Sequence, residues 1–257
     1  ADSLRAAMFC SKCVDATLFD DDETANCMTV TARALEISRR AAGSGRVPTP
    51  AERRVDAWVH VLAITLTVPA ILAMLWPTIW AGAPLQTLAA GIYGVGLLTM
   101  FVASFAYHHV VSPAQKDLFR SIDHAAIFLM IAGTYTPFAL ISLGGVVGHG
   151  LLLIVWVLAL FGAWQRLRRP RDSVTAPVWP YLALGWISLP LLGVIISQLP
   201  PTALTYLILG GAIYTVGVIF HRWESLLYQN AIWHAFVLAA AACHYVSIRD
   251  VLSAASA

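Results

Sequence analysis

Charged residues are scarce in this chain. Asp, Glu, Lys and Arg make up 12% of its 257 residues, about half the share of a soluble globular domain. That scarcity excludes an ordinary water-soluble fold. The net charge of +2 is too small an excess to argue for a nucleic-acid partner. Cysteine is sparse too. Cys10 and Cys13 form one CxxC, Cys27 follows alone, and Cys243 lies far downstream. One pair plus a single thiol lacks the second pair of a zinc ribbon, so the first three read as reduced thiols in a loose cytosolic tail. Cys243 reads as a small packing residue. The first fifty residues have no apolar core, which excludes a secretory signal peptide there and leaves targeting to the first membrane helix. Met28 offers a plausible internal start.

What the chain has instead is hydrocarbon. Hydrophobic residues reach 59% and mean hydropathy is +0.73. Between short polar clusters lie apolar runs of about twenty residues, the length that carries a helix across roughly 30 Å of lipid. Seven spans are predicted, over 57–79, 86–109, 122–143, 147–165, 178–199, 202–220 and 227–248. The chain is therefore read as an all-α integral membrane protein, a seven-transmembrane helix bundle. It has a flexible tail over 1–50, a membrane domain over 51–250 and a short tail over 251–257.

The connections alternate in charge. Arg39, Arg40, Arg46, Arg53 and Arg54 precede the first span. Lys116 and Arg120 lie between spans two and three, Arg166, Arg168, Arg169 and Arg171 follow span four, and Arg222 follows span six. The connections AGAPLQ, LGGVVGHG and QLPPT contain no Lys or Arg. Arg249 alone falls on the other side. The positive-inside rule then puts the N-terminus in the cytosol and the C-terminus outside. The glycines of GIYGVG and GGAIYTVG read as close helix packing. Pro77, Pro137 and Pro190 are expected to kink or end helices, with neighbouring helices satisfying the freed carbonyls.

With orientation set, each ionisable side chain has a depth at about 1.5 Å per residue. Ser104 and His108 share a face at the inner end of span two. Asp123 lies within about a turn of the inner boundary on span three. Asn230 and His234, four apart on one face of span seven, sit about 5–12 Å below the surface. His60, with Asp56 one turn before it, comes to similar depth from span one. Groups from four spans thus occupy one layer. His244 lies about 15 Å further out, too far to join them, and reads as a hydrogen-bonded packing residue. His149 and His221 read as solvated, while His109 and His124 point away from their neighbours' faces.

Two readings of this layer stand side by side. One is interhelical glue, with imidazole and hydroxyl hydrogen-bonded across helices at about 1 kcal/mol each. The other is a metal site. Neutral imidazoles ligate zinc, a carboxylate offsets its charge, and Asp123 is placed to take a proton.

The stretches SFAYH (104–108), RSIDHAAIFLMIAGTYTPF (120–138), GGAIYTVGVIF (210–220) and AIWHAFVLAAAACHY (231–245) resemble the hemolysin III family, part of the group that contains progestin and adiponectin receptors and alkaline ceramidases. The likeness covers about residues 50–250. It implies a seven-helix bundle in a cell membrane, bacterial by this likeness, with a zinc ion near the cytosolic face. The family pattern is Ser-x3-His on helix two, Asp on helix three and His-x3-His on helix seven. Carried over, it makes His108, His234, Asp123 and Asn230 the metal positions, and Asp123 and Ser104 the catalytic ones. Asn230 stands where the family has histidine, and an amide is a much poorer zinc ligand. On span one the family tends to carry Glu, Asn and His; Glu52, Asp56 and His60 match that loosely. The ceramidases imply hydrolysis of a lipid amide or ester, with membrane lipids as partners. A membrane-perturbing protein, a lipid-sensing receptor without catalysis and an ion pathway are the other functions to weigh. No polar residues step across the full thickness, which argues against the last.

Overall fold

The computed structural model describes residues 48–110, 112–168 and 177–255. The cysteines and charge runs read in the tail lie outside them. Among the described residues, eight α-helices build seven spans. They are α1 (Pro50–Trp80), α2 (Pro84–His109), α3 (Pro113–Pro137), α4 (Gly145–Arg168), α5 (Trp179–Gly185), α6 (Leu192–Gln198), α7 (Pro201–Arg222) and α8 (Gln229–Ala254). The helices α5 and α6 are two halves of the fifth span.

Helix starts follow local chemistry. Pro stands at the opening of α1, α2, α3 and α7, where a missing N–H costs nothing and φ is already helical. Helix α1 begins well before its apolar run because Thr49 and Glu52 form a capping box, which satisfies two otherwise orphaned amides. At the other end, α8 runs on to Ala254 and buries Val251 and Leu252.

The prolines act as the sequence suggests, each differently. Pro77 sits in the last turn of α1. Pro137 ends the α-helical part of α3, which continues as a π-helical turn over Phe138–Leu143. Pro190 lies in a 3-10 turn, Leu189–Leu191, that breaks the fifth span. At this break the Tyr135 hydroxyl donates to the Gly185 carbonyl at 2.7 Å and lies 3.1 Å from Ser188 Oγ. A neighbouring helix thereby pairs a carbonyl that lipid could not.

Helix α3 is central. On one side it shares a core with α1, α2 and α8 through Tyr93, Leu97, Phe101, Met130 and Val237. On the other it packs Phe128 and Ala132 against Val155 and Ala159 of α4. Small residues permit close approach: a Cβ on Gly133 would stand 3.3 Å from the Ile92 carbonyl oxygen, and one on Gly217 2.9 Å from Phe236 Cβ. Gly91 faces open space. Helix α8 packs along α7 and closes back on α1.

The outer surfaces of the spans are apolar, with Leu62, Leu66, Leu72, Leu153, Ile154 and Leu160 all exposed. An exposed apolar surface on every span is what lipid contact requires. Exposed tryptophans mark two levels: Trp76 and Trp80 at one end, Trp58, Trp164, Trp179 and Trp223 at the other. Trp58 and Trp80 are about 33 Å apart along α1, which matches hydrocarbon thickness. All seven spans are long and apolar enough to cross a membrane. The described members of the basic clusters, among them Arg53, Arg54, Lys116, Arg120, Arg166, Arg168 and Arg222, lie at the end with four tryptophans.

Candidate metal centre

The buried face of α1 reads Glu52, Asp56, His60, Ala63, Thr67, Met74, Thr78. This stripe at intervals of three, four and seven is one helical face. Its three ionisable members, Glu52, Asp56 and His60, lie in the first three turns, level with Trp58. Opposite them, α2 brings Ser104 on its buried face and His108 and His109 in its last turn. Helix α8 brings His234 and α3 brings Asp123, both buried.

Asp56 is the hub. Its Oδ1 accepts from His234 Nδ1 at 2.6 Å. Its Oδ2 has His60 Nδ1 and His108 Nδ1 at 3.8 Å and His109 Nε2 at 3.9 Å. Those three separations are too long for hydrogen bonds. Those to His108 and His109 approach the about 3.4 Å between two ligand atoms on one tetrahedral zinc.

The hydrogen count around Ser104 is short. His60 Nδ1 lies 2.9 Å from the Asp56 carbonyl oxygen, an acceptor only, so Nδ1 carries the proton. His234 Nδ1 likewise donates to a carboxylate oxygen. In the neutral rings both Nε2 atoms are then lone pairs, and both face Ser104 Oγ, at 3.1 and 3.3 Å. The hydroxyl has one hydrogen for two imidazoles. Asp123, whose carboxyl interacts with the same hydroxyl, competes for it too. Meanwhile His109 Nε2 is sealed from solvent and has no hydrogen-bond partner among the described residues. An excess of buried lone pairs over hydrogens is a donor set that a cation would complete.

Among the described residues, Asp56, His60 and His109 form a group whose ligand atoms all lie within 4.8 Å of one another. The predicted layer therefore exists, and α1 is at its centre. His108 and His234 do come together, with ring centroids 4.7 Å apart. His234 and His60 are closer still, at 4.2 Å. Asn230, one turn before His234, is half-buried and makes no side-chain hydrogen bond among the described residues.

Two histidines differ from their sequence reading. His109 turns inward together with His108, because α2 ends there and Val110 is already extended. His221 is not solvated at its ring: Nδ1 is buried without a partner, and the ring packs on Trp233. His244 packs on Gly210, where a Cβ would meet its ring at 2.3 Å, and its Nε2 has no hydrogen-bond partner.

Glu52 ties the layer to the last span. Its Oε1 accepts the Tyr228 amide at 2.7 Å while Oε2 completes the cap at Thr49. Tyr228 has φ +58°, an uncommon conformation for a bulky residue, so this link fixes where α8 begins.

A family model described as Haemolysin-III related matches residues 50–245. The chain is similar to Hemolysin-3 homolog of Bacillus subtilis (strain 168), 32% identical over 197 residues, which covers 77% of this chain and 92% of the relative. Hemolysin-3 of Bacillus cereus is 34% identical over 197 residues, with 77% and 90% covered. Monocyte to macrophage differentiation factor of Homo sapiens is 30% identical over 223 residues, with 82% and 90% covered. With seven membrane-spanning helices and these relatives, the chain is a multi-pass cell-membrane protein that belongs to the haemolysin-III-related family.

Proposed function

We propose that the protein is a zinc-dependent hydrolase of a lipid amide or ester at the inner face of its membrane. The observation that carries this reading is the surplus of buried lone pairs around Ser104, next to the Asp56, His60 and His109 group. Nitrogen and carboxylate ligands suit zinc, and three protein ligands with one open position are the pattern of catalytic rather than structural sites. Asp56, His60 and His109 would hold the ion, with the His108 and His234 rings beside them. Asn230 is then not required as a ligand, because Asp56 supplies the donor that its amide cannot.

A bound zinc ion supplies Lewis acidity towards an acyl carbonyl and an attacking water. The remaining chemistry belongs to the chain. Asp123, buried beside Ser104, accepts a proton from the water and returns it to the departing amine or alcohol. The Ser104 hydroxyl donates to the developing oxyanion. The layer lies level with the exposed inner tryptophans, so a membrane lipid reaches it sideways without leaving the bilayer.

The test is purified protein incubated with N-acyl lipids. Fatty acid release that is lost on chelation and in Asp123→Asn, while dye-filled liposomes stay sealed, supports hydrolysis. Protein that carries no divalent metal after purification and takes up none on zinc addition would sink it. Chelator-resistant dye leakage would point instead to a membrane-perturbing protein.

A further inference from the structure

Ser104, His234 and Asp56 stand in a hydrogen-bonded line. His234 Nε2 lies 3.3 Å from Ser104 Oγ, and His234 Nδ1 donates to Asp56 Oδ1 at 2.6 Å. All three side chains are buried. They come from α2, α8 and α1, so no contiguous motif carries them. A hydroxyl, an imidazole whose free nitrogen faces it and a carboxylate on the other nitrogen are the parts of an activated serine nucleophile. Such a set is recognised by its geometry, whatever its order in the chain.

The tautomer is the one this chemistry needs. With the Nδ1 proton held on the carboxylate, His234 Nε2 presents a lone pair to the serine hydroxyl. Asp56 then fixes the ring and offsets the charge that the imidazole gains on taking the serine proton. His60 Nε2 is as near to Ser104, at 3.1 Å, but its Nδ1 donates to the Asp56 main-chain carbonyl at 2.9 Å. A neutral carbonyl stabilises an imidazolium less than a carboxylate does. His234 is therefore the base, and His60 holds the hydroxyl from the other side. The His108 and His109 side chains beside them are 19% and 23% exposed, so the layer is reached past the last turn of α2.

We propose that Ser104 is the nucleophile of an acyl transfer from a lipid ester, with His234 as general base and Asp56 as the residue that positions it. A lipid ester is the substrate class because the layer lies level with the exposed inner tryptophans, where the membrane's polar boundary is found. This activity goes beyond the metal-dependent hydrolysis and does not rest on it, because none of its steps uses an ion. The Ser104 Oγ–H bond breaks as Oγ bonds to the ester carbonyl carbon, and the proton passes to His234 Nε2. That nitrogen returns the proton to the departing alcohol as the ester C–O bond breaks, which leaves an acyl-serine. Water then attacks the acyl carbon and gives a proton to His234. The fatty acid leaves as Oγ takes that proton back.

The test is labelling of the purified full chain in detergent by a fluorophosphonate probe, with EDTA present, read by peptide mass spectrometry. Ser104 should carry one adduct. Half-buried Ser121 on α3, whose hydroxyl donates to the Asp117 carbonyl at 3.0 Å, should carry none. His234→Gln and Asp56→Asn should each slow labelling by at least about 10²-fold. No adduct on Ser104, or an unchanged rate in His234→Gln, overturns the proposal. So does labelling that appears only when zinc is added. Should neither variant fold, heat-unfolded wild-type protein decides: Ser104 labelled as fast unfolded as folded overturns the nucleophile. Fatty acid release from N-acyl lipids that survives chelation would sink the metal-dependent reading and leave the triad standing. Labelled Ser104 beside chelator-sensitive release supports both.

Discussion

His234 Nδ1 lies 2.6 Å from Asp56 Oδ1, joining the last span to the first across 178 positions of sequence. The bond fixes the tautomer of His234 and, through it, leaves Ser104 facing two lone pairs. It also makes Asp56 the natural anchor for a cation, which the adjoining imidazoles at 3.8 and 3.9 Å would share.

Asp56→Asn keeps the shape of the side chain and removes its charge. Zinc affinity should fall at least tenfold, in line with the 10–100-fold losses that follow changes around metal ligands. Competition against a chromophoric chelator measures it. Asn230→His should change affinity little by itself, but in the Asp56→Asn background it should restore most of the loss. Additive effects of the two substitutions would separate Asn230 from the site.

Asp123→Asn should leave bound zinc unchanged and slow lipid hydrolysis by about 10²–10⁴-fold, the usual weight of a positioned acid–base group. Metal content and turnover measured on the same preparation distinguish this from a ligand's loss. A variant that loses metal and activity together would make Asp123 a ligand.

Thr49→Ala removes the side-chain half of the α1 cap. Stability should drop by about 1 kcal/mol, as for other caps. Glu52→Ala should cost more, since it also frees the Tyr228 amide. Thermal unfolding in detergent ranks the two; the reverse order would mean that the link to α8 carries little.

Gly148→Ala would put a Cβ 2.2 Å from the Ala139 carbonyl oxygen, a backbone atom that cannot swing aside. Overpacking of this kind costs about 1–3 kcal/mol or more. Gly91→Ala meets nothing within 4 Å and should raise stability by about 0.5–1 kcal/mol through helix propensity. The same unfolding assay, with opposite signs expected, checks both.

Much of this architecture is legible in the residues. Seven apolar runs give seven spans, and the AGAPLQ, LGGVVGHG and QLPPT connections give the alternation of charge. Pro190 announces the broken fifth span. The polar layer is legible too, because depth follows from counting residues along an axis. The start of α1 was harder to read: Glu52 and Asp56 look like loop residues by hydropathy, yet they lie on its buried face. A stripe of Glu52, Asp56 and His60 at four-residue spacing was the available signal, and its polarity concealed it.

The sequence by itself therefore determined the number of spans, their alternation and the depth of each ionisable group. These quantities answer to the thickness of the bilayer and to the 1.5 Å rise of a helix. Only the tertiary structure decided which groups meet. The rotation of each helix about its own axis depends on its neighbours' small residues and bulky side chains, not on its own hydropathy. That rotation put Asp56 among four imidazoles, turned His109 inward beside His108, and set Arg166 against the Tyr181 ring on the far side of α3.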